Sequence, residues 1–305
     1  MTESRKTGAI AFEAARDDRI SPLADAWASL LRHKAALCGA LILAVIAIMA
    51  VFSPWIAPYD PAQQIPWEAR RAPLTWLEGS GRFVLFGTDH LGRDLLSRIV
   101  YASRVTLIVS FTAVAISGCV GLLVGVAAGY LGRWVDAVCM RLVDIFLAFP
   151  FELLALSIVA VTGPSLSVVV IVIALRVWVV YARVVRGATL SVKEKDFVQA
   201  AVALGASELR VVLVHVLPNV LSPAIVIATL YVGRVILIES ALSFLGVGVP
   251  SSTPTWGGIL GDGRSYIDTA WWIAFFPGLA IMITVLGVNL LGDWVRDYLD
   301  PRIQT

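Results

Sequence analysis

Four ionisable side chains, Glu152, Arg176, Arg234 and Glu239, stand inside long apolar stretches of this 305-residue chain. A lone charge near the middle of a bilayer costs about 2.5 to 3.5 kcal/mol on insertion scales, so each is expected to face a bundle interior or a cavity. The chemistry open to them is ion pairing, contact with a passing solute, or proton carriage. Glu152 and Arg176 fall on neighbouring predicted helices at depths their long side chains can bridge, so an interhelical ion pair is the expected arrangement. Arg234 and Glu239 are separated by about 140° around a helix and need separate partners, in this chain or another.

Other chemistries find no residues to carry them. No Gly-rich stretch ends in Gly-Lys-Ser or Gly-Lys-Thr, so a phosphate-cradling loop of that type is absent from the sequence. The histidines are His33, His90 and His215, and none lies in a Gly-x-Ser-x-Gly or His-Glu-x-x-His setting. Cys38, Cys119 and Cys139 have neither the number nor the spacing of a disulfide framework or a metal site and are read as packing residues. No catalytic residue, metal or cofactor is therefore expected in this chain. The formal charge of +2 gives no reason to expect nucleic acid.

The elements that must position these charges are membrane helices. Hydrophobic residues make up 58% of the chain and charged ones 15%, and the mean hydropathy is +0.83, far from a soluble average. Six apolar runs are long enough to span a bilayer: 35–56, 105–130, 137–161, 166–186, 220–246 and 271–291. They are continuously rich in Leu, Val, Ile and Ala, where barrel strands would alternate, so the expected fold class is all-α. With both ends inside, fifteen Lys and Arg fall in cytoplasmic pieces, among them Arg5, Lys6, Arg16, Arg19 and Arg302, against seven outside. That bias favours cytoplasmic termini. The expected organisation is a cytoplasmic tail 1–34, a first span with an external segment 35–104, and a five-helix core 105–302.

One polar interruption, 187–219, is the substantial cytoplasmic piece between spans. Asp196 is placed to cap a short helix that carries Phe197, Ala200, Ala201 and Leu204 on nearly one face, with Gly205 ending it in a left-handed conformation. Ser207 is placed to cap a second helix whose expected apolar stripe is Leu209, Val212, Leu213 and Val216. Small residues on the first helix allow close approach by another surface. Elsewhere, Gly87-Thr88-Asp89 and Gly92 read as a self-satisfied turn involving Arg93 and Arg98, and Arg141 and Asp144 are spaced to meet on one helix face. Gly246, Gly248, Pro250 and Pro254 interrupt the fifth span's end as a gate or a plain exit loop.

The run Gln199-Ala200-Ala201, three residues, Gly205, nine residues, then His215-Val216-Leu217-Pro218 resembles the cytoplasmic signature of ATP-binding-cassette importer permeases. The likeness extends over Phe86 to Asp94, Arg141 to Asp144, Glu239 to Gly246, Pro254 to Gly257, Phe276 to Leu279 and Asn289 to Asp293. It points to the second permease of the dipeptide, oligopeptide and nickel type. The resemblance implies a type I importer fold in the bacterial inner membrane and a homologous permease partner. It also implies an external substrate-binding protein and two ATPase subunits that bind ATP and Mg outside this chain. It further implies that Gln199, Ala200, Ala201, Leu204, Gly205, His215, Leu217 and Pro218 form the ATPase-coupling element. Gln199 departs from the family's usual Glu, which puts any ion pair there in question. Peptide, glutathione, a haem-like compound and nickel all stay open as cargo, as does an ion-coupled carrier using Glu152 and Glu239.

Overall fold

The structure is a computed structural model that describes residues 22–250 and 252–299. The tail before residue 22 and Arg302, both used above for orientation, lie outside the described residues. A short helix α1 (Pro22–Arg32) leads into α2 (Lys34–Val51), which stops at Phe52 and restarts as α3 (Ser53–Ile56) with Pro54 in its first turn. The segment between α3 and the next long helix then folds through a two-stranded antiparallel hairpin, β1 (Thr75–Leu77) and β2 (Arg82–Val84), paired Thr75 to Val84 and Leu77 to Arg82. Its prolines exclude a long helix, as the sequence implies.

Five further long or paired helices complete the bundle. They are α4 (Leu95–Leu131), α5 (Arg133–Ala148) with α6 (Phe151–Thr162), α7 (Leu166–Lys193), α9 (Glu208–Phe244) and α11 (Trp272–Leu299). Two shorter ones, α8 (Asp196–Ala203) and α10 (Trp256–Gly263), fill the turns before and after α9. Asp94 caps α4 by accepting from the Ser97 backbone N–H at 2.8 Å. The residues after Asp94 are thus one continuous helix with the second span. At 37 residues, or about 55 Å, α4 outreaches a hydrocarbon core of roughly 30 Å.

The third apolar run is the one place where the expected span is not a single helix. Helices α5 and α6 meet at 85°. Pro150 has no N–H to give and pushes Phe149 to extended angles (φ −81°, ψ 131°), so the helix ends there and restarts. Five helices among the described residues are long and apolar enough to cross a membrane, and this bent pair makes the sixth.

Close approach of small residues sets the core. Gly121, Gly125 and Gly129 line one edge of α4 against Tyr181, Val185 and Thr189 of α7. A Cβ on Gly125 would lie 2.7 Å from the Val185 Cβ and 2.8 Å from the Ala182 carbonyl, so only glycine lets the two backbones pack at this distance. Gly39 of α2 meets the Gly287 carbonyl of α11 in the same way. Two indoles tie the hairpin segment and the start of α4 to later helices: Trp272 donates to the Thr88 carbonyl at 3.2 Å, and the fully buried Trp256 donates to the Ile99 carbonyl at 3.0 Å.

Candidate docking loop and intramembrane cavity

Several contacts gather the loop between α7 and α9 with other helix ends at one end of the bundle. Lys193 donates to the Tyr130 carbonyl at the end of α4 (2.7 Å), Arg186 grips Asp136 at the start of α5, and Ser222 donates to the Leu299 carbonyl at the end of α11 (3.3 Å). On this platform α8 is clamped by one buried residue, Val198, in a cluster with Val185, Val192, Val211 and Val216. Gly205 has φ +80°, the left-handed stop expected of it, and the Ala206 N–H closes the turn onto the Ala201 carbonyl at 3.1 Å. Lys195, rather than Asp196, occupies the cap position of α8, and Ser207 holds its expected cap position without making the side-chain bond.

The stripe after Ser207 is wound differently from the expected one. Between Val211 and Val216 the helix widens to a π turn, which turns Val211 and Val216 inward and leaves Leu209 and Leu213 exposed. Leu204, which is 88% exposed, and Phe197, Val202 and Val214 add to this apolar surface, which none of the described residues covers. Of the signature residues, Gln199, Ala200, Leu204, Gly205 and Pro218 are exposed, whereas Ala201 and Leu217 are half-buried against the valine cluster. His215 is half-buried with its ring beside Phe197, and its carbonyl accepts from Asn219 at 2.7 Å. The Gln199 amide donates to the Lys193 carbonyl at 3.1 Å, tying α8 back to the end of α7. An ionised carboxylate has no proton to make that bond.

The four intramembrane charges separate into two environments. Glu152, Arg176 and Arg234 line one cavity of about 210 Å³ beside the α5–α6 break, with Tyr231 as a wall. No ion pair joins Glu152 to Arg176 among the described residues, because the 85° bend carries α6 off the straight path on which that pairing was based. Arg234 stacks over the Tyr231 ring, 5.6 Å from its centre. Glu239 is elsewhere, fully buried, and accepts from the Ser243 hydroxyl at 2.7 Å. One carboxylate oxygen thus has a partner in its own helix, and the other is buried without one among the described residues.

At the opposite end, Asp89 organises the turn after the hairpin. One oxygen accepts from the Leu91 and Arg93 backbone N–H groups (both 2.9 Å), the other from the Arg93 side chain at 2.6 Å, and Arg98 lies 3.5 Å away. Burial raises the Asp94 carboxyl above its ordinary pKa, with the Ser97 bonds opposing the rise. A cavity of about 410 Å³ opens beside Arg98, lined also by Gly246, Pro250, Asp262 and Arg264. Arg141 and Asp144 do not pair; Asp144 instead takes Arg183 of α7 at 2.6 Å on the surface. This cross-helix choice, like Asp136 with Arg186, has no signal in local spacing.

A bundle of spanning helices with an exposed apolar loop at one end and charges lining a cavity between its helices is the architecture of a multi-pass membrane protein. The chain belongs to the family of binding-protein-dependent transport system inner membrane components, whose pattern matches residues 121–305. Residues 21–73 match the N-terminal transmembrane domain of oligopeptide transport permease C. The chain is 44% identical over 284 residues to a di/tripeptide transport system permease of Pseudomonas aeruginosa, covering 93% of each protein. It is 41% identical to the dipeptide transport system permease of Escherichia coli K12, covering 93% of this chain and 95% of that one. Among solved structures, the inward-facing MetNI methionine transporter matches with a TM-score of 0.56 at 19% identity, over 68% of this chain and 98% of the matched chain. That likeness concerns the fold, and it agrees with the expected type I importer architecture.

Proposed function

We propose that this chain is one of two permease subunits of an ATP-driven importer of short peptides, and that its loop 196–219 is where an ATPase subunit grips it. The observation that carries the reading is the uncovered apolar surface around Leu204, held out from the bundle by the valine clamp beneath α8. Soluble surfaces rarely leave so many large apolar side chains together without a partner. The substrate class follows the names of the Pseudomonas and Escherichia relatives, which are matched over 93% and 95% of their lengths.

In this reading the loop end and both termini face the cytoplasm of a bacterial cell, and an external binding protein delivers cargo at the Asp89 end. A homologous permease forms the other wall of the pathway. ATP and Mg are held by two partner ATPase subunits, whose closure on ATP shifts the population of permease states by binding one of them better. Residues 35–104 supply the first span and external platform, and 105–302 the helices that move.

Uptake of labelled dipeptide into vesicles holding the reconstituted complex tests this. Import that needs ATP, the ATPases and the loaded binding protein is the expected result. Accumulation driven by a proton gradient without ATPases refutes it and favours an ion-coupled carrier. Glu239→Gln discriminates further, since ATP-driven uptake should survive loss of a protonatable group that already hydrogen-bonds within its own helix.

A further inference from the structure

Three charged residues around the cavity at the α5–α6 break have no oppositely charged partner among the described residues. Arg176 lies ten residues after the start of α7 and Arg234 ten residues before the end of α9, so both sit about 15 Å from the same end of the bundle. That depth is the middle of a hydrocarbon core of roughly 30 Å. Glu152 opens the first turn of α6, immediately beyond Pro150, where the backbone of the span is interrupted. Glu152 and Arg234 are exposed in the isolated chain. Two guanidinium groups and one carboxylate cannot face lipid at this depth, and they do not neutralise one another, so they need charges from elsewhere.

We propose that this cavity is a transit site for a zwitterion, in which Arg176 and Arg234 take the C-terminal carboxylate of a short peptide and Glu152 its N-terminal ammonium. The assignment rests on the peptide-import reading above. Planar guanidinium forks suit a carboxylate, and a carboxylate suits an ammonium. The cation–π contact with Tyr231 holds Arg234 at the cavity wall without consuming its charge. The cavity's volume of about 210 Å³ is below the roughly 300 to 1,000 Å³ of drug-sized sites, which fits a dipeptide rather than a long chain. A broken span beside a midplane site is the arrangement by which membrane carriers expose polar groups to cargo. Mixed signs in one small cavity also avoid a trap for either charge alone, so a peptide bound there can leave.

The test uses the permease pair with its ATPases in phosphatidylglycerol nanodiscs, without the binding protein. Alanyl-alanine, its C-terminal amide and its N-acetyl derivative are titrated, and each Kd is read by saturation-transfer NMR. The wild-type complex should bind alanyl-alanine about 10-fold or more tightly than either blocked form, the worth of one charge-assisted hydrogen bond. Arg176→Gln and Arg234→Gln should abolish discrimination against the amide while keeping that against the acetyl form, and Glu152→Gln should do the reverse. Equal wild-type affinities for the three ligands, no binding, or variants that weaken all three alike would overturn the proposal. So would failure of the variants to assemble, which would make the charges interface partners of the second permease. Tighter binding of phosphatidylethanolamine than of alanyl-alanine would assign the cavity to lipid headgroups and overturn it as well. Uptake by the complete wild-type system is measured in parallel. Its absence refutes peptide import itself, whereas uptake without discrimination in the nanodiscs refutes only the cavity's role.

Discussion

Replacing Leu204 with aspartate separates docking from folding more cleanly than any other change in the loop. Leu204 follows the last turn of α8 and is 88% exposed, so the isolated subunit loses almost no packing when its side chain is changed. Its backbone is in the bridge region with negative φ (φ −76°, ψ 1°), which aspartate adopts as readily as leucine. In the assembled transporter, burial of a leucine side chain contributes about 1.5 to 3 kcal/mol, and a charge placed in the same contact adds a desolvation penalty. The leucine term alone corresponds to roughly 10- to 150-fold weaker capture of the ATPase. Detergent-solubilised complex carrying a tagged permease gives the readout: the ATPase recovered per permease, as a function of ATPase concentration. The expected outcome is a normal level of Leu204→Asp subunit in the membrane with capture reduced by at least about 10-fold. Capture within twofold of wild type, with the subunit correctly inserted, would show that the exposed apolar surface is not where the ATPase binds. By contrast Ala201→Arg, which drives a long charged side chain from a half-buried position toward the buried valine cluster, should disturb the loop itself and lower both measurements.

The remaining predictions address the frame around that loop. Gly125→Leu should lower the melting temperature and membrane level of the subunit, since the new side chain meets Val185 and the Ala182 carbonyl and overpacking costs about 1 to 3 kcal/mol. Gln199→Glu should leave subunit level unchanged, while hydrogen exchange at the α7–α8 junction speeds up because the bond to the Lys193 carbonyl is lost; unchanged exchange would refute the tether. Asp89→Asn should destabilise the external turn by about 3 to 5 kcal/mol, because the nearly buried Arg93 and Arg98 lose their shared counter-ion, and a thermal melt of the purified complex should show it.

Much of this protein was legible along the chain. Apolar runs of spanning length, the basic bias toward one side, and the left-handed glycine at 205 each depend on local composition or a single backbone preference, so no tertiary contact had to be known. The short helix α8 and its stop were legible for the same reason, since spacing between Asp196 and Gly205 is a one-dimensional property. Tertiary structure decided what spacing cannot carry. Pro150 is visible in the sequence, but whether it kinks or breaks a span depends on what packs beside it, and the 85° break that resulted cancelled the direct pairing of Glu152 with Arg176. The π turn at 211–216 likewise chose which of two interleaved apolar rows faces inward, exposing Leu209 and Leu213. Asp136 and Asp144 of α5 reached across to Arg186 and Arg183 of α7, partners 39 or more residues away in sequence that only the packing of the two helices brings within reach. Period and composition are read from neighbours in sequence; partners for a buried or interfacial charge are set by three-dimensional proximity, which only the folded bundle supplies.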